Sequence, residues 1–259
     1  MSKIALVTGA TAGIGKATAE LLVKKGYRVI ITGRRELVLN EFADKLLLQH
    51  NGSVLALNFD IRSKAEVDAA INGLPEDWKA IDVLINNAGL AAGLSAIQDG
   101  DNQDWEQMID TNIKGLLYIS KAVSKGMIER KSGHIINIGS IAGREVYPNG
   151  NVYCATKHAV DALTKAMRVD MLEYGIKVTQ IAPGAVETEF SMVRFKGDEE
   201  KANAVYDGYT PLKAIDIAET IEFVLSRPSH VNINDMLIMP TAQASAHALH
   251  RVQPDENEW

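Results

Sequence analysis

The chain is expected to fold as a doubly wound α/β domain, a parallel sheet with helices on both faces. Three observations predict it. Short apolar runs of strand length alternate with helical patterns along the whole chain, as β-α-β units do. A glycine-rich turn joins the first such run to the first helix. The length of 259 residues, 46% of them apolar and 23% charged, is enough for one large core of ordinary soluble composition. With no internal repeat and no linker composition, a single domain over 1–259 is expected.

Ile4-Ala-Leu-Val-Thr8 is the first strand. Gly9, Gly13 and Gly15 follow in a G-x-x-x-G-x-G spacing, and a helix then carries Ala17, Leu21, Leu22 and Val23 towards Gly26. Glycines between strand and helix let backbone N–H groups approach a pyrophosphate at the helix's positive end. Arg28–Thr32 is the second strand. A dinucleotide fold that uses NAD places an acid about 20 residues past the glycines. This chain instead has Gly33-Arg34-Arg35, and two guanidiniums without an acid suit a 2′-phosphate.

A helix over 37–50 ends at an Asn51-Gly52 turn. The third strand, Val54–Phe59, ends at Asp60 and Ile61, where a cofactor base could rest. Ser63 and Glu66 resemble a capping box for the next helix. The fourth strand, Asp82–Ile85, delivers Asn86-Asn87-Ala88-Gly89, whose small residues let backbone pass close to a ligand. One long helix is predicted from Asp101 to Arg130, with Asn112 unfavourable inside it.

Strands at Gly133–Ile138 and Ile176–Ile181 follow, the second ending at Pro183-Gly184. From about 187 to 211, short amphipathic pieces carrying Phe190, Met192, Val193, Phe195, Val205 and Tyr206 suit a mobile flap over a site. A helix over Ile215–Leu225 and a last strand at Asp235–Met239 complete the pattern. The C-terminal tail covers 241–259 and is expected to be acidic and loose from Gln253 onward.

The chemistry concentrates between Ile135 and Val160. A strand ends at Gly139-Ser140, delivering a hydroxyl, and Tyr153 and Lys157 stand four residues apart on one helix face. A free phenol titrates near ~10, and a nearby cation favours its ionised form. A helix start near Asn149 or Asn151, both suitable N-caps, pushes the same way. The set predicts proton exchange at a carbonyl or alcohol oxygen, with Tyr153 as acid/base and Ser140 holding that oxygen.

The net charge of −6 and pI near 5.6 argue against a nucleic-acid or anionic-membrane binder. No apolar run approaches the ~20 residues of a membrane span, and the chain enters a strand at once, leaving no signal peptide. Cys154 is the one cysteine, so no internal disulfide forms and a cytoplasmic location is expected. No metal site is expected.

Taken together, Thr8-Gly9-x-x-x-Gly13-Ile14-Gly15, Asn86-Asn87-Ala88-Gly89, Ser140, Tyr153-x-x-x-Lys157 and Pro183-Gly184-x-x-x-Thr188 resemble the short-chain dehydrogenase/reductase family over nearly the whole chain. The resemblance implies a seven-stranded Rossmann fold and hydride transfer with a nicotinamide cofactor. It assigns Tyr153 as acid/base, Ser140 as oxyanion and substrate anchor, Lys157 as a ribose-binding cation, and Asn112 as holder of a relay water. It implies cofactor contacts from Gly9, Thr11, Gly13, Ile14, Gly15, Asp60, Ile61, Asn87, Ala88, Gly89, Tyr153, Lys157, Pro183, Gly184, Val186 and Thr188, beside Arg34 and Arg35.

Ala142–Pro148, Glu187–Phe190, Val193–Gly197 and His230–Asn234 resemble, more narrowly, the NADP-dependent 3-hydroxy acid dehydrogenases, also described as serine or allo-threonine dehydrogenases. That likeness implies NADP, a short 3-hydroxy acid as small-molecule substrate, and a homotetramer. Met239-Pro240 stands where the wider family has Asp-Gly-Gly after the last strand. A second reading keeps the mechanism and takes a carbonyl compound or a small anionic aldehyde such as sulfoacetaldehyde. A third, a silent NADP-sensing protein, is disfavoured by the complete Asn112, Ser140, Tyr153 and Lys157 set. A carboxylate needs a fixed cation. Arg194 in the flap leads, because it sits among Phe190, Val193 and Phe195, a patch able to close over the ligand; Arg144 follows, and Lys196 ranks last because arginine meets a carboxylate two-pronged.

Overall fold

The computed structural model describes residues 2–50 and 53–252. The Asn51-Gly52 turn and the acidic end from Gln253 lie outside the described residues. The chain begins β1 (Ile4–Val7), α1 (Gly13–Lys24), β2 (Arg28–Gly33), α2 (Glu36–His50), β3 (Val54–Asn58) and α3 (Lys64–Asn72). It continues with β4 (Ile81–Asn86), α4 (Asn102–Ile109), α5 (Leu116–Arg130), β5 (Gly133–Ile138), α6 (Asn151–Asp170) and β6 (Ile176–Pro183). Then come β7 (Val186–Glu187), α7 (Phe190–Arg194), α8 (Glu199–Ala204), β8 (Leu212–Lys213), α9 (Ala214–Leu225) and β9 (Asp235–Ile238).

Seven parallel strands form one sheet in the order β3-β2-β1-β4-β5-β6-β9, as the seven expected runs require. β7 and β8 make a separate two-stranded pair at the root of the flap. Alternation along each strand sends successive side chains to opposite faces. Val29 and Ile31 thus join α1, α2 and α9 through Leu22, Leu39 and Ile221. Ile30 between them packs on the other face with α3 and α5, against Val67, Ile119 and Met127. Strand order reverses between β1 and β4, and in open α/β sheets a ligand crevice opens beyond the strand ends at that point.

Four elements depart from expectation. The long helix is α4 and α5 joined by a π-helical turn, Asp110–Gly115, which carries the inward-facing Asn112. Ser63 accepts from Glu66 N, but Glu66 Oε2 turns to Asp60 N at 2.8 Å, so only half a capping box forms. Neither Asn149 nor Asn151 caps α6; Gly150 does, without a side chain. A Cβ on Gly150 would strike the Tyr147 ring, Asn149 is spent on a left-handed turn at φ 63°, and Asn151 donates instead to Ser95 O. Finally, residues 242–250 of the tail form a small hairpin, bridged between Gln243 and Leu249.

Candidate active site

One cleft of about 400 Å³ lies over the ends of β1, β2, β4, β5 and β6. Every residue expected to touch the cofactor lines it except Gly15. Gly15 is buried beneath the cleft, where a Cβ would collide with the Asn87 amide and the Gly9 carbonyl. Gly9 has φ +66° and its Cβ would stand 2.9 Å from the Ala88 backbone. The crevice wall is therefore backbone against backbone, shaped for a flat, extended group.

The Thr8 hydroxyl locks this wall. It accepts from Asn87 N at 3.0 Å and Ala88 N at 2.9 Å while donating to Ile85 O. The Asn87 amide returns to Thr8 O at 2.8 Å. Asn86 faces away into the core, donating to Ser120 and Asn137 at 2.8 Å each, so of this Asn pair one is structural and one serves the cleft.

Arg34 and Arg35 reach the same cleft, each half exposed, and both already face carboxylates. Arg35 donates to Glu189 at 3.0 Å and to the Thr11 hydroxyl at 3.0 Å. Arg34 lies 3.9 Å from Asp60. The donor set is complete for an added phosphate, with two forked cations and a hydroxyl at the edge of β2. Burial raises the Asp60 carboxyl, but hydrogen bonds and charge from Arg62 outweigh it and hold the group below its ordinary value.

At the other end, Ser140, Tyr153 and Lys157 converge on the cleft wall. Ser140 Oγ accepts from Ala142 N at 3.1 Å, which keeps its proton for the Tyr153 side of the cleft. Lys157 is buried, and its ammonium donates to Ile138 O at 2.9 Å. Burial pulls its pKa down to about 8. The Tyr153 phenol as a whole stands above its ordinary value, not below it as expected. Burial pushes that phenol up and the neighbouring Tyr147 adds to it; charge from Arg194 and a hydrogen bond with Ser140 oppose them.

Asn112 is buried behind this group and does not line the cleft. Its amide donates to Leu90 O at 2.8 Å and Thr156 Oγ1 at 3.0 Å and accepts from Leu90 N. Both amide hydrogens are spent on holding the Leu90 loop to α6. A relay water would need the remaining lone pair or the backbone carbonyl.

The candidate substrate cations separate. Arg144 forms an ion pair with Asp235 at the start of β9 and does not line the cleft, which corrects its assignment to substrate binding. Lys196 points away, 3.0 Å from Asp104. Arg194 does not line the cleft itself but a small pocket beside it that Tyr153 also lines, and of the three it is the one brought to Tyr153. Its guanidinium stacks 4.9 Å from the Tyr153 ring and 5.4 Å from Phe190, and donates to Tyr147 Oη at 2.5 Å. Its Nε is buried without a partner, and no carboxylate pairs with it among the described residues. Tyr147 and Glu189 were missed by sequence reasoning.

Comparison with known proteins agrees with this arrangement. Residues 3–199 match the short chain dehydrogenase family. The chain is 48% identical over 250 residues to the NADP-dependent 3-hydroxy acid dehydrogenase YdfG of Salmonella typhi, covering 96% of this chain and 99% of that one. It is 44% identical to sulfoacetaldehyde reductase 2 of Chromohalobacter salexigens, over 97% of this chain and 100% of the relative. Among solved structures, the closed form of serine dehydrogenase complexed with NADP+ superposes with a TM-score of 0.90 at 45% identity, covering 96% of this chain and 100% of the other. Fold, cleft and kinship lead to one statement: this chain belongs to the short-chain dehydrogenase family.

Proposed function

We propose that the protein is an NADP-dependent oxidoreductase that interconverts short 3-hydroxy acids and their carbonyl counterparts. One observation carries the substrate class. Arg194 is a half-buried guanidinium above the catalytic tyrosine, with an unpartnered Nε and no carboxylate partner among the described residues. A cation held this way favours an anionic ligand, since leaving it unpaired in a desolvated site is costly. Its relatives support the same reading: one is a 3-hydroxy acid dehydrogenase and one a serine dehydrogenase holding NADP+. The 44% identical sulfoacetaldehyde reductase supports a second reading, because the same arginine would meet a sulfonate as readily as a carboxylate.

The residues fit NADP. Gly9, Gly13 and Gly15 leave the β1–α1 turn without side chains, and Arg34, Arg35 and Thr11 cluster where the 2′-phosphate would lie. The cofactor, when bound, supplies or accepts the hydride. Tyr153 then gives a proton to the carbonyl oxygen in reduction or takes one from the hydroxyl in oxidation. Ser140 holds that oxygen with the hydroxyl proton kept for the Tyr153 side of the cleft by its bond from Ala142 N. Lys157 reaches the cleft beside Gly89, where it would hold the ribose hydroxyls and supply positive charge near Tyr153. Asn112 holds the Leu90 loop that forms the back of this pocket.

We also assign a homotetramer and a cytoplasmic location. Val169 and Leu172, each 74% exposed at the end of α6, and Leu117 on α5 support a partner surface. No helix among the described residues is long and apolar enough to cross a membrane, and the buried lone Cys154 suits a reducing compartment. Light scattering is expected to give four times the 28.2 kDa chain mass.

The test is a panel of L-serine, L-allo-threonine, 3-hydroxypropionate, sulfoacetaldehyde and a neutral aldehyde, followed at the nicotinamide absorbance with NADP and with NAD. Turnover of hydroxy acids with NADP is expected. Exclusive use of the neutral aldehyde would defeat the substrate assignment, and turnover of sulfoacetaldehyde alone would favour the second reading.

A further inference from the structure

After β9 the chain turns at Met239-Pro240 and forms its hairpin, and three loops of the site meet there. Gln243 Oε1 accepts from Ala185 N at 2.8 Å, just past Pro183-Gly184. Gly184 lies so close to Gln243, Met239 and Pro240 that a Cβ there has no room. Ala246 N donates to Glu145 Oε2 at 2.8 Å, in the loop that follows Ser140. The third contact is with the flap. Val252 N donates to Gly208 O at 2.8 Å. The Arg251 guanidinium donates to the carbonyls of Ala204 at 3.2 Å, Val205 at 3.0 Å, and Asp207.

Those carbonyls close the C-terminal end of α8, where a helix has no internal donors left. α8 has six residues and buries only Ala202. A helix that short does not persist in water by propensity, so its ends must be tied. Asp198 ties one end by accepting from Lys201 N at 3.1 Å. Arg251 ties the other, bringing a cation to carbonyl groups that favour one. The backbone is built for this approach: Gly208 has φ +77°, and a Cβ on it would stand 2.8 Å from Val252 O.

We infer that Arg251 is a positioning residue for the substrate end of the site. Through the end of α8 it holds the flap, and the 242–250 hairpin with Arg251 and Val252 fixes the flap, the Ser140 loop and the Gly184 loop to one another. It touches no reacting atom. α8 follows α7, which carries Phe190 and Arg194, so release of α8 loosens the ring and the cation that face Tyr153. The kinetic consequence rests on the oxidoreductase reading; the mechanical one does not.

Arg251→Ala and Arg251→Lys, with the full chain and NADP present, test it by cleavage with a glutamate-specific protease. Loss of charge-assisted bonds at an exposed site is expected to speed cleavage at Glu199 and Glu200 about tenfold in Arg251→Ala. Arg251→Lys, which can still reach one carbonyl, should fall between. The KM for 3-hydroxypropionate should rise by a similar factor, with kcat nearly unchanged and NADPH binding by fluorescence unaltered. Unchanged cleavage at Glu199 and Glu200 overturns the inference. So does equal acceleration at Glu129 and Glu173, which are remote from the flap and report loosening of the whole fold. If the wild type turns over no hydroxy acid at all, the oxidoreductase reading fails, while the protease result still decides the role of Arg251.

Discussion

The two ends of the cleft are held by different means. At the cofactor end the wall is backbone packed closely at Gly9 and Gly15 and locked by the Thr8 hydroxyl and the Asn87 amide between β1 and β4, two central strands of the sheet. At the substrate end it is side chain. Arg194 and Phe190, from a helix of five residues, stack on Tyr153, Tyr147 meets Arg194 from the loop before α6, and the flap is tied down by Tyr206 to Val186 O and by Arg251. A backbone wall tolerates one kind of residue, whereas a side-chain wall can be rebuilt. One end can stay fixed while the other is retuned for a new acid.

The comparison breaks most sharply at the residue the two ends share. Tyr153→Phe keeps the ring that packs on Phe190 and removes only the transferable proton. Turnover is expected to fall on the order of 10²–10⁴-fold, with NADPH binding intact by fluorescence titration. Because burial holds the phenol protonated, the wild-type oxidation rate should also climb with pH through the alkaline range, while reduction stays flat or falls. A variant retaining most of the activity would remove Tyr153 from the chemistry.

The same division explains what was legible before the fold was known. The seven strands, their order of appearance and the glycine turn could be read because burial and left-handed backbone restrict residue type locally. Asn112 was noticed as misplaced in a helix, but not that a π-helical turn would bury its amide against Leu90. In the sequence only the apolar neighbours of Arg194 set it ahead of Arg144. The long-range pairing of Arg144 with Asp235 and the stacking of Arg194 on Tyr153 separate them in the fold. Tyr147 and the hairpin carried no local signal, since their partners lie 47 and more than 40 residues away.

The junction of the two ends contains one group at odds with its burial. Lys157 titrates near 8 in the fold and near 10.5 when unfolded. Between these values the unfolded chain binds the additional proton, so stability rises as pH rises from 8 towards 10. Below 8 both states are charged and the full desolvation penalty applies. Thermal unfolding of the cofactor-free protein against Lys157→Met should show a difference that changes by up to about 3 kcal/mol across that window. Parallel curves would show that Lys157 is not desolvated and that this junction is looser than drawn.

The edge of the fixed end, at Arg34 and Arg35, should behave as an exposed charge pair. Replacing both by Ala is expected to raise the Michaelis constant for NADP by about ten- to a hundredfold, the value of a few charge-assisted bonds, and to change that for NAD little. The Gly9–Asn87 wall remains in the variant, so both cofactors still bind. Equal losses would mean that the arginines support the cleft through Glu189 and Asp60 instead of reading a phosphate.

The smallest effect tests the retunable end. Arg194→Ala removes the cation but also the surface stacked on Tyr153, Phe190 and Tyr147, so a loss of activity could report disturbed packing. Tyr147→Phe is the cleaner probe. It keeps the ring against Gly150 and deletes only the hydroxyl that accepts from Arg194. If Tyr147 aims the guanidinium at the substrate's acid group, one hydrogen bond to a charged group is lost. The KM for a hydroxy acid should then rise about tenfold. A neutral aldehyde, with no anion to aim for, should be used as before, and kcat for both should be nearly unchanged. Arg194→Ala should show the same pattern more strongly. Equal losses on charged and neutral substrates in both variants would mean that the aromatic stack only shapes the flap. A loss confined to Arg194→Ala would mean that the arginine meets the anion unaided by Tyr147.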